Sequence, residues 1–252
     1  VPVVSPDTGI EGVDFLPGDP PDLIARKALP VNLSDLDAKG AAPDSYLLNL
    51  SLAAYIDRDW LQAFARGLAQ DQKEFGVGLL GGDTGRTPGP LTISITAFGH
   101  VPQGAMIRRQ GARIGDGVFV TGGIGDSGGG LAILRGEGSH LTETQRQALI
   151  TRYRLPQPRV GFPLRGIASS ALDISDGLIA DLGHLAEASG VRLVIEAEHI
   201  PRSPALCALW GDGQDAVLRA ATAGDDYEIA YTAASGEVRI GAVEHGSGVV
   251  LL

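Results

Sequence analysis

Residues 171–190, ALDISDGLIADLGHLAEASG, decide the fold. A short apolar run ends at Asp173, the turn Ser175-Asp176-Gly177 follows, and Leu178, Leu182, Leu185 and Ala186 then recur at helical spacing until Gly190. A strand passing into an amphipathic helix across a tight turn is the repeating unit of an α/β protein. The turn has chemistry of its own. The first amides of a helix lack intrahelical partners and carry the positive end of its dipole, so they attract anions. Asp173 and Asp176 flank that point and can hold a metal over it. Plain helix capping by Ser175 or Asp176 explains the same residues with no ligand at all.

Similar handovers recur on either side. VPVVSPDTGIEGVDFLPG reads as a strand followed by turns, and Asp19-Pro20-Pro21 opens a helix running through LIARKALPVNLSDLDAKG to Gly40. Pro30 inside that helix removes one hydrogen bond and predicts a kink. DSYLLNLSLAAY is a strand with both faces apolar. Asp57-Arg58-Asp59 caps a helix whose Trp60, Leu61, Phe64 and Leu68 share a face and which ends near Gly76. GVGLLGGD predicts a short buried strand ending in a turn, whereas LTISITAFG alternates and has one wetter face. Beyond residues 102–113 the texture changes: GVFVTGG, ASSALDIS and VRLVIEA read as strands, SGGGLAILRG opens a helix, and LRAATAGDDYEIAYTA turns into a further strand. The pattern predicts two α/β sandwiches, residues 1–107 and 108–252.

Composition narrows the class. A chain of 252 residues, 44% hydrophobic and 20% charged, is that of a globular protein. Its net charge of −10 argues against a nucleic-acid surface. The basic residues are almost all arginines, the lysines being Lys27, Lys39 and Lys73, and no polybasic run exists. The lone Cys207 fits a reducing compartment. With no long apolar stretch and no leader pattern, the expectation is a soluble, cytoplasmic protein.

Acidic positions carry the strongest chemical signal. Asp7, Asp35, Asp83, Asp173 and Asp176 each stand at the edge of a short apolar run. Two carboxylates about 4 Å apart repel by roughly 4 kcal/mol at an effective dielectric near 20. A cluster of them therefore needs cations, and Mg2+ with substrate phosphates meets that need. GGDTGR places Asp83 after two glycines that let a ligand approach the backbone, though this is also ordinary turn chemistry. GGIGDSGGG matches G-x-G-x-x-G at Gly123, Gly125 and Gly128. The acid a dinucleotide site wants is represented only by Glu137 in a polar loop, so tight strand-to-helix packing is the expected use of these glycines. No Gly-Lys dipeptide occurs, which excludes a Walker A loop and leaves metals and arginines such as Arg109 and Arg86 to meet phosphate. Asp225, Asp226 and Glu228 form an acidic turn that reads either as solvated or as a cation site.

Taken in order, VVSPDTGIEGVDFLP, RKALPVNLSDLDAKGA, GGDTGRTPGPLTISITAFG, RRQGARIGD, LDISDGLIADLGHLAEASG and AGDDYEIAYT resemble the signature segments of the thiamine-monophosphate kinase family. The likeness spans nearly the whole chain and places it in the superfamily of aminoimidazole ribonucleotide synthetase. It implies a two-domain α/β fold, of α+β sandwich type, whose N-terminal domains close an intersubunit β-barrel in a homodimer. It also implies ATP-dependent phosphorylation of thiamine monophosphate to thiamine diphosphate with Mg2+. By the same resemblance Ser5, Asp7, Asp35, Asp83, Asp173 and Asp176 match metal ligands. Gly82, Asp83, Arg109 and Ser175 match nucleotide contacts, and Asp14 and Asp225 match contacts to thiamine phosphate. Asp83, Asp176 and Arg109 are the expected catalytic residues.

Departures from the pattern are specific. Asp14 stands where the family usually has His, Pro6 replaces a hydroxyl residue, and Pro30 replaces a small one. The sequence begins after the family's Asp-Asp loop, ends before its C-terminal aromatic segment, and is about one helix short between AASG and EVRIG. Those segments are expected to be omitted from the sequence rather than lost from the protein. Asp14 keeps open another ATP-dependent synthetase or kinase of the superfamily, and the absent acidic loop keeps open a non-catalytic nucleotide-binding dimer.

Overall fold

The computed structural model describes residues 1–252 throughout. Its first sheet is built from β1 (Pro2–Ile10), β2 (Ala42–Leu52), β3 (Gly78–Arg86) and β4 (Thr92–His100), in the order β1-β4-β2-β3. The alternation in β4 has the predicted consequence. Ile93, Ile95 and Ala97 are buried, and Thr92, Ser94 and Thr96 turn to the opposite face. Two helices, α1 (Pro21–Ala38) and α2 (Arg58–Phe75), cover the apolar face and share one core with it through Leu29, Leu33, Leu36, Phe64 and Leu68. Each fully buried leucine contributes about 1.5–3 kcal/mol. α2 begins where Asp57 accepts the Trp60 amide at 2.8 Å and stops at Gly76, whose φ of 68° is left-handed. Pro30 does lie inside α1.

β3 departs from expectation. Every one of its residues is exposed, Leu79 and Leu80 included, and the strand continues through Gly81-Gly82-Asp83 where a turn is predicted. The reason is position: β3 is an edge strand paired only with β2. A Cβ on Gly82 would lie 1.7 Å from the Leu48 carbonyl oxygen, so glycine permits this close pairing.

The second sheet holds β5 (Gly117–Val120), β6 (Ser170–Asp173), β7 (Arg192–Ile195), β8 (Ile229–Ala233), β9 (Val238–Glu244) and β10 (Gly248–Leu251), ordered β10-β7-β9-β5-β8-β6. Five helices accompany it: α3 (Asp126–Leu134), α4 (Glu143–Arg154), α5 (Leu178–Ser189), α6 (Pro204–Trp210) and α7 (Gln214–Ala221). The predicted face of α5, Leu178, Leu182, Leu185 and Ala186, packs with Val118, Leu172, Leu193 and Ile195. The glycine-rich segment is used for packing. A Cβ on Gly125 would meet Ala220 at 2.7 Å, and one on Gly128 would meet Ala223 at 2.5 Å.

α1 belongs to both halves. It packs on β1 and β4 of the first sheet and on β6, β8 and α4 of the second. No helix is long and apolar enough to cross a membrane.

Candidate functional site

Because α1 is shared, acidic residues distant in sequence meet along it. Ser5 and Asp7 on β1 pair with Ala97 and Ile95 of β4, so both point to the helix side of the sheet. The Ser5 hydroxyl donates to Asp35 Oδ2 at 2.5 Å. Asp173, buried at the end of β6, has its pKa pushed up to about 7 by burial and then by the charge of Asp35, with Lys39 pulling the other way. Ser5, Asp35, Lys39 and Arg109 line one cleft of about 530 Å³.

Asp7 opens onto a smaller pocket of about 40 Å³ with Asp14, Lys27 and Tyr227. Asp7 is exposed at its rim, yet the surrounding protein raises its pKa. The Thr8 amide opposes that rise, and the charges of Asp35, Asp14 and Asp225 add to it. Asp14 is held in place by the Ile10 amide, which donates to Oδ2 at 2.7 Å. Asp225 arrives through backbone knitting of two turns. Its amide donates to the Ser175 carbonyl at 2.8 Å, and the Tyr227 amide donates to the Ile174 carbonyl at 2.8 Å. Asp225 and Tyr227 have φ of 67° and 51°, a region that non-glycine residues seldom adopt and that concentrates at functional turns. Around α1 the structure thus gathers Ser5, Asp7, Asp35, Asp173 and Arg109, with Asp14 and Asp225 alongside, and the Ser175-Asp176 turn is joined to Asp225 through the Ser175 carbonyl.

Gly82 and Asp83 are not brought there within one chain. Asp83 shares a register row with Asn49, Ser94 and Thr8, three strands from β1, which is about 14 Å at ordinary strand spacing. That row also faces away from α1. The carboxylates that do gather form no closed cage. The only trio of such groups whose ligand atoms all lie within 4.8 Å is Glu196, Glu198 and His199, at the other end of the second sheet from β6.

The capping reading of the turn fails on geometry. Gly177, with φ of 107°, precedes α5 and no side chain caps the helix from Ser175 or Asp176. Instead Asp181, inside the first turn and 5% exposed, reaches back so that the Ser175 and Asp176 amides each donate to its Oδ2 at 3.0 Å. Those amides already serve an internal anion. Burial raises the Asp181 pKa to about 6. The solvated reading of the acidic turn fails too. Asp226 is 1% exposed and accepts the Gly125 amide at 2.7 Å, while buried Glu228 holds Arg159 and Arg152 at 2.5 and 3.1 Å.

Sequence reasoning missed Lys27, whose Nζ lies 2.7 Å from Asp225 Oδ2. It also missed Asp37, buried on α1 with both carboxylate oxygens unpartnered and its pKa pushed up to about 8 by burial and then by Asp173. A signal for Lys27 existed: it is one of three lysines and sits in the apolar stretch of α1.

Known proteins share this fold. The family model for AIR synthase related protein, N-terminal domain, matches residues 2–101, and that for the C-terminal domain matches residues 113–247. Thiamine-monophosphate kinase of Salmonella typhimurium is 43% identical over 231 residues, covering 91% of this chain and 70% of that protein. The Caulobacter vibrioides thiamine-monophosphate kinase is 43% identical over 233 residues, 90% of this chain and 65% of its own length. Among solved structures, the thiamine-monophosphate kinase from Stenotrophomonas maltophilia K279a superposes with TM-score 0.92 at 38% identity, covering 100% of this chain and 85% of that one. A structure described as AaThiL complexed with AMPPCP and TMP gives TM-score 0.92 at 32% identity, over 99% of this chain and 83% of that one. The chain belongs to the thiamine-monophosphate kinase family, within the AIR synthase related proteins.

Proposed function

We propose that this protein uses ATP to phosphorylate thiamine monophosphate, giving thiamine diphosphate and ADP. The observation that carries the reading is the meeting of carboxylates from both sheets along α1, beside the basic residues Lys39 and Arg109. Relatives that share the fold at 38–43% identity are thiamine-monophosphate kinases, and a neighbour at 32% identity is complexed with AMPPCP and TMP.

The residues fit Mg2+ as the cofactor. All donors are oxygens, and the pKa values of Asp7 and Asp173 are raised. A hard cation supplies the countercharge such a set lacks. Ser5, Asp7, Asp35, Asp173 and Asp176, with Asp83, would hold it. When bound, Mg2+ neutralises phosphate charge during transfer. The protein's own task is then positioning. Arg109, Gly82, Asp83 and Ser175 orient the nucleotide, and Asp14 and Asp225 receive the cationic thiamine. A phosphate oxygen of the acceptor attacks the γ-phosphorus, and the bond to the β-bridging oxygen breaks with its electrons leaving on ADP. The acceptor is already ionised at neutral pH, so no strong base is required. Arg109 offsets the phosphoryl charge directly, and Asp83 and Asp176 would do so only through the cation they hold.

Asp83 enters this site from a second copy. The bare outer face of the first sheet and the fully exposed β3 support a homodimer in which N-terminal sheets close an intersubunit β-barrel. The division into residues 1–107 and 108–252 is supported by the empty stretch between β4, ending at His100, and β5, starting at Gly117. The absence of a membrane-crossing helix accords with a cytoplasmic location. The test is transfer of label from γ-labelled ATP. Label recovered in thiamine diphosphate supports the reading, and label recovered only as inorganic phosphate overturns it.

A further inference from the structure

Lys27 on α1 is only 6% exposed, although a helical lysine can ordinarily extend its amine to water. Its Nζ donates to Asp225 Oδ2 at 2.7 Å and lies 3.9 Å from the centre of the Tyr153 ring. One carboxylate and one ring face do not exhaust an ammonium with three donors. Lys27 also lines the small pocket that contains Asp7 and Asp14. Its partners Asp225 and Tyr153 line a different cavity of about 450 Å³, together with Arg135, Arg219 and Trp210. The Lys27–Asp225 pair therefore stands between the two spaces, and a ligand reaching from the larger cavity toward Asp7 must pass it.

We propose that Lys27 binds the phosphate of the phosphoryl acceptor. The inference rests on the functional reading above, because it is the charge pattern of thiamine monophosphate that fits. That acceptor carries a cationic ring and an anionic phosphate. Asp225 and Lys27 carry the matching opposite charges. On binding, the ring replaces Lys27 at Asp225 and the phosphate replaces Asp225 at Lys27, so one internal ion pair is exchanged for two pairs with the ligand. No buried charge is left alone, which is the condition under which burying ions is tolerable. Lys27 thereby points the acceptor phosphate at Asp7, and the strained turn at Asp225 and Tyr227 holds the other end.

The test is calorimetric titration of the full chain with thiamine monophosphate and, separately, with thiamine, which lacks the phosphate. Replacing Lys27→Met should weaken thiamine monophosphate roughly 10- to 100-fold, the worth of a charged hydrogen bond. Thiamine affinity should hold or rise, because its ring still finds Asp225 and no longer leaves a buried Lys27 unpaired there. Lys27→Arg keeps the charge and should recover part of the loss. Lys27→Gln keeps a donor, and serves in place of Lys27→Met should the apolar variant fail to fold. A purely structural role predicts equal losses for both ligands, and that result, or no loss for either, overturns the assignment. A wild-type chain that binds neither compound overturns the functional reading itself, and this assignment with it.

Discussion

Replacing Glu228 by glutamine probes how firmly the acidic turn is held from behind. Glu228 is 0% exposed. Its Oε2 accepts from Thr121 Oγ1 and Arg159 Nε, each at 2.6 Å, and its Oε1 accepts from Arg159 Nη2 at 2.5 Å and Arg152 Nη2 at 3.1 Å. Glutamine keeps the shape but removes the charge and, whichever way its amide lies, points an NH2 donor at an arginine that only donates. Removing one side of a buried ion pair costs about 3–5 kcal/mol. Arg152 and Arg159 remain 22% and 35% exposed and can recruit water, which favours the lower end. At about 3 kcal/mol, and about 2–4 °C per kcal/mol for a chain of this size, the melting temperature should fall by about 6–12 °C. Differential scanning calorimetry measures this directly. Glu228→Asp keeps the charge and should fall less. A drop below about 2 °C for Glu228→Gln would refute the claim that this network anchors the turn.

Gly82→Ala should detach β3 from β2, because the new Cβ meets backbone at 1.7 Å. The loss is about 1–3 kcal/mol or more, read by faster amide exchange over residues 79–86, whereas Gly81→Ala meets no atom and bears only the strain of its φ of 158°, so its loss should be smaller. Asp226 has its pKa raised to about 8 by burial, against 3.8 as the ordinary value. Between those values the folded state holds a proton that the unfolded state has lost, so its contribution to stability is full below the lower value and disappears as pH rises through the upper. Asp226→Asn should flatten that decline in urea melts taken across the range, and an unchanged slope would contradict the assignment. Asp83→Asn and Asp176→Asn alter exposed residues and should shift stability by no more than about 0.5 kcal/mol. Turnover in steady-state assays should nevertheless fall by orders of magnitude, and unchanged turnover in either variant would remove that residue from the site.

Periodicity made most elements legible. Leu178, Leu182, Leu185 and Ala186 mark α5, and Asp57 and Gly76 bracket α2, because local spacing and caps are written in adjacent residues. β3 was misjudged because its exposure depends on strand order, which Leu79 and Leu80 do not encode. α4 went unread for a different reason: its residues are mostly polar and show no apolar stripe, although the capping box from Thr142 to Gln145 was there to be seen. In the site, Ser5, Asp7, Asp35 and Asp173 could be named from motifs. What escaped were groups whose roles depend on tertiary partners. Asp181 turns back onto the amides of its own helix start, and Lys27 finds Asp225 across 198 residues. Glu228 meets Arg152 and Arg159 only once α4 and the segment after it are folded beside β8. The separation of Asp83 from the other carboxylates likewise follows from sheet order and face, neither of which is visible in GGDTGR.

The most direct measurement is thiamine diphosphate formation from ATP and thiamine monophosphate by the full chain as Mg2+ is titrated against EDTA. Thiamine diphosphate and ADP should form in equal amounts, both should be lost with excess EDTA, and both should recover when Mg2+ is restored. ADP released without thiamine diphosphate, or product formation indifferent to EDTA, would contradict a metal-assisted kinase.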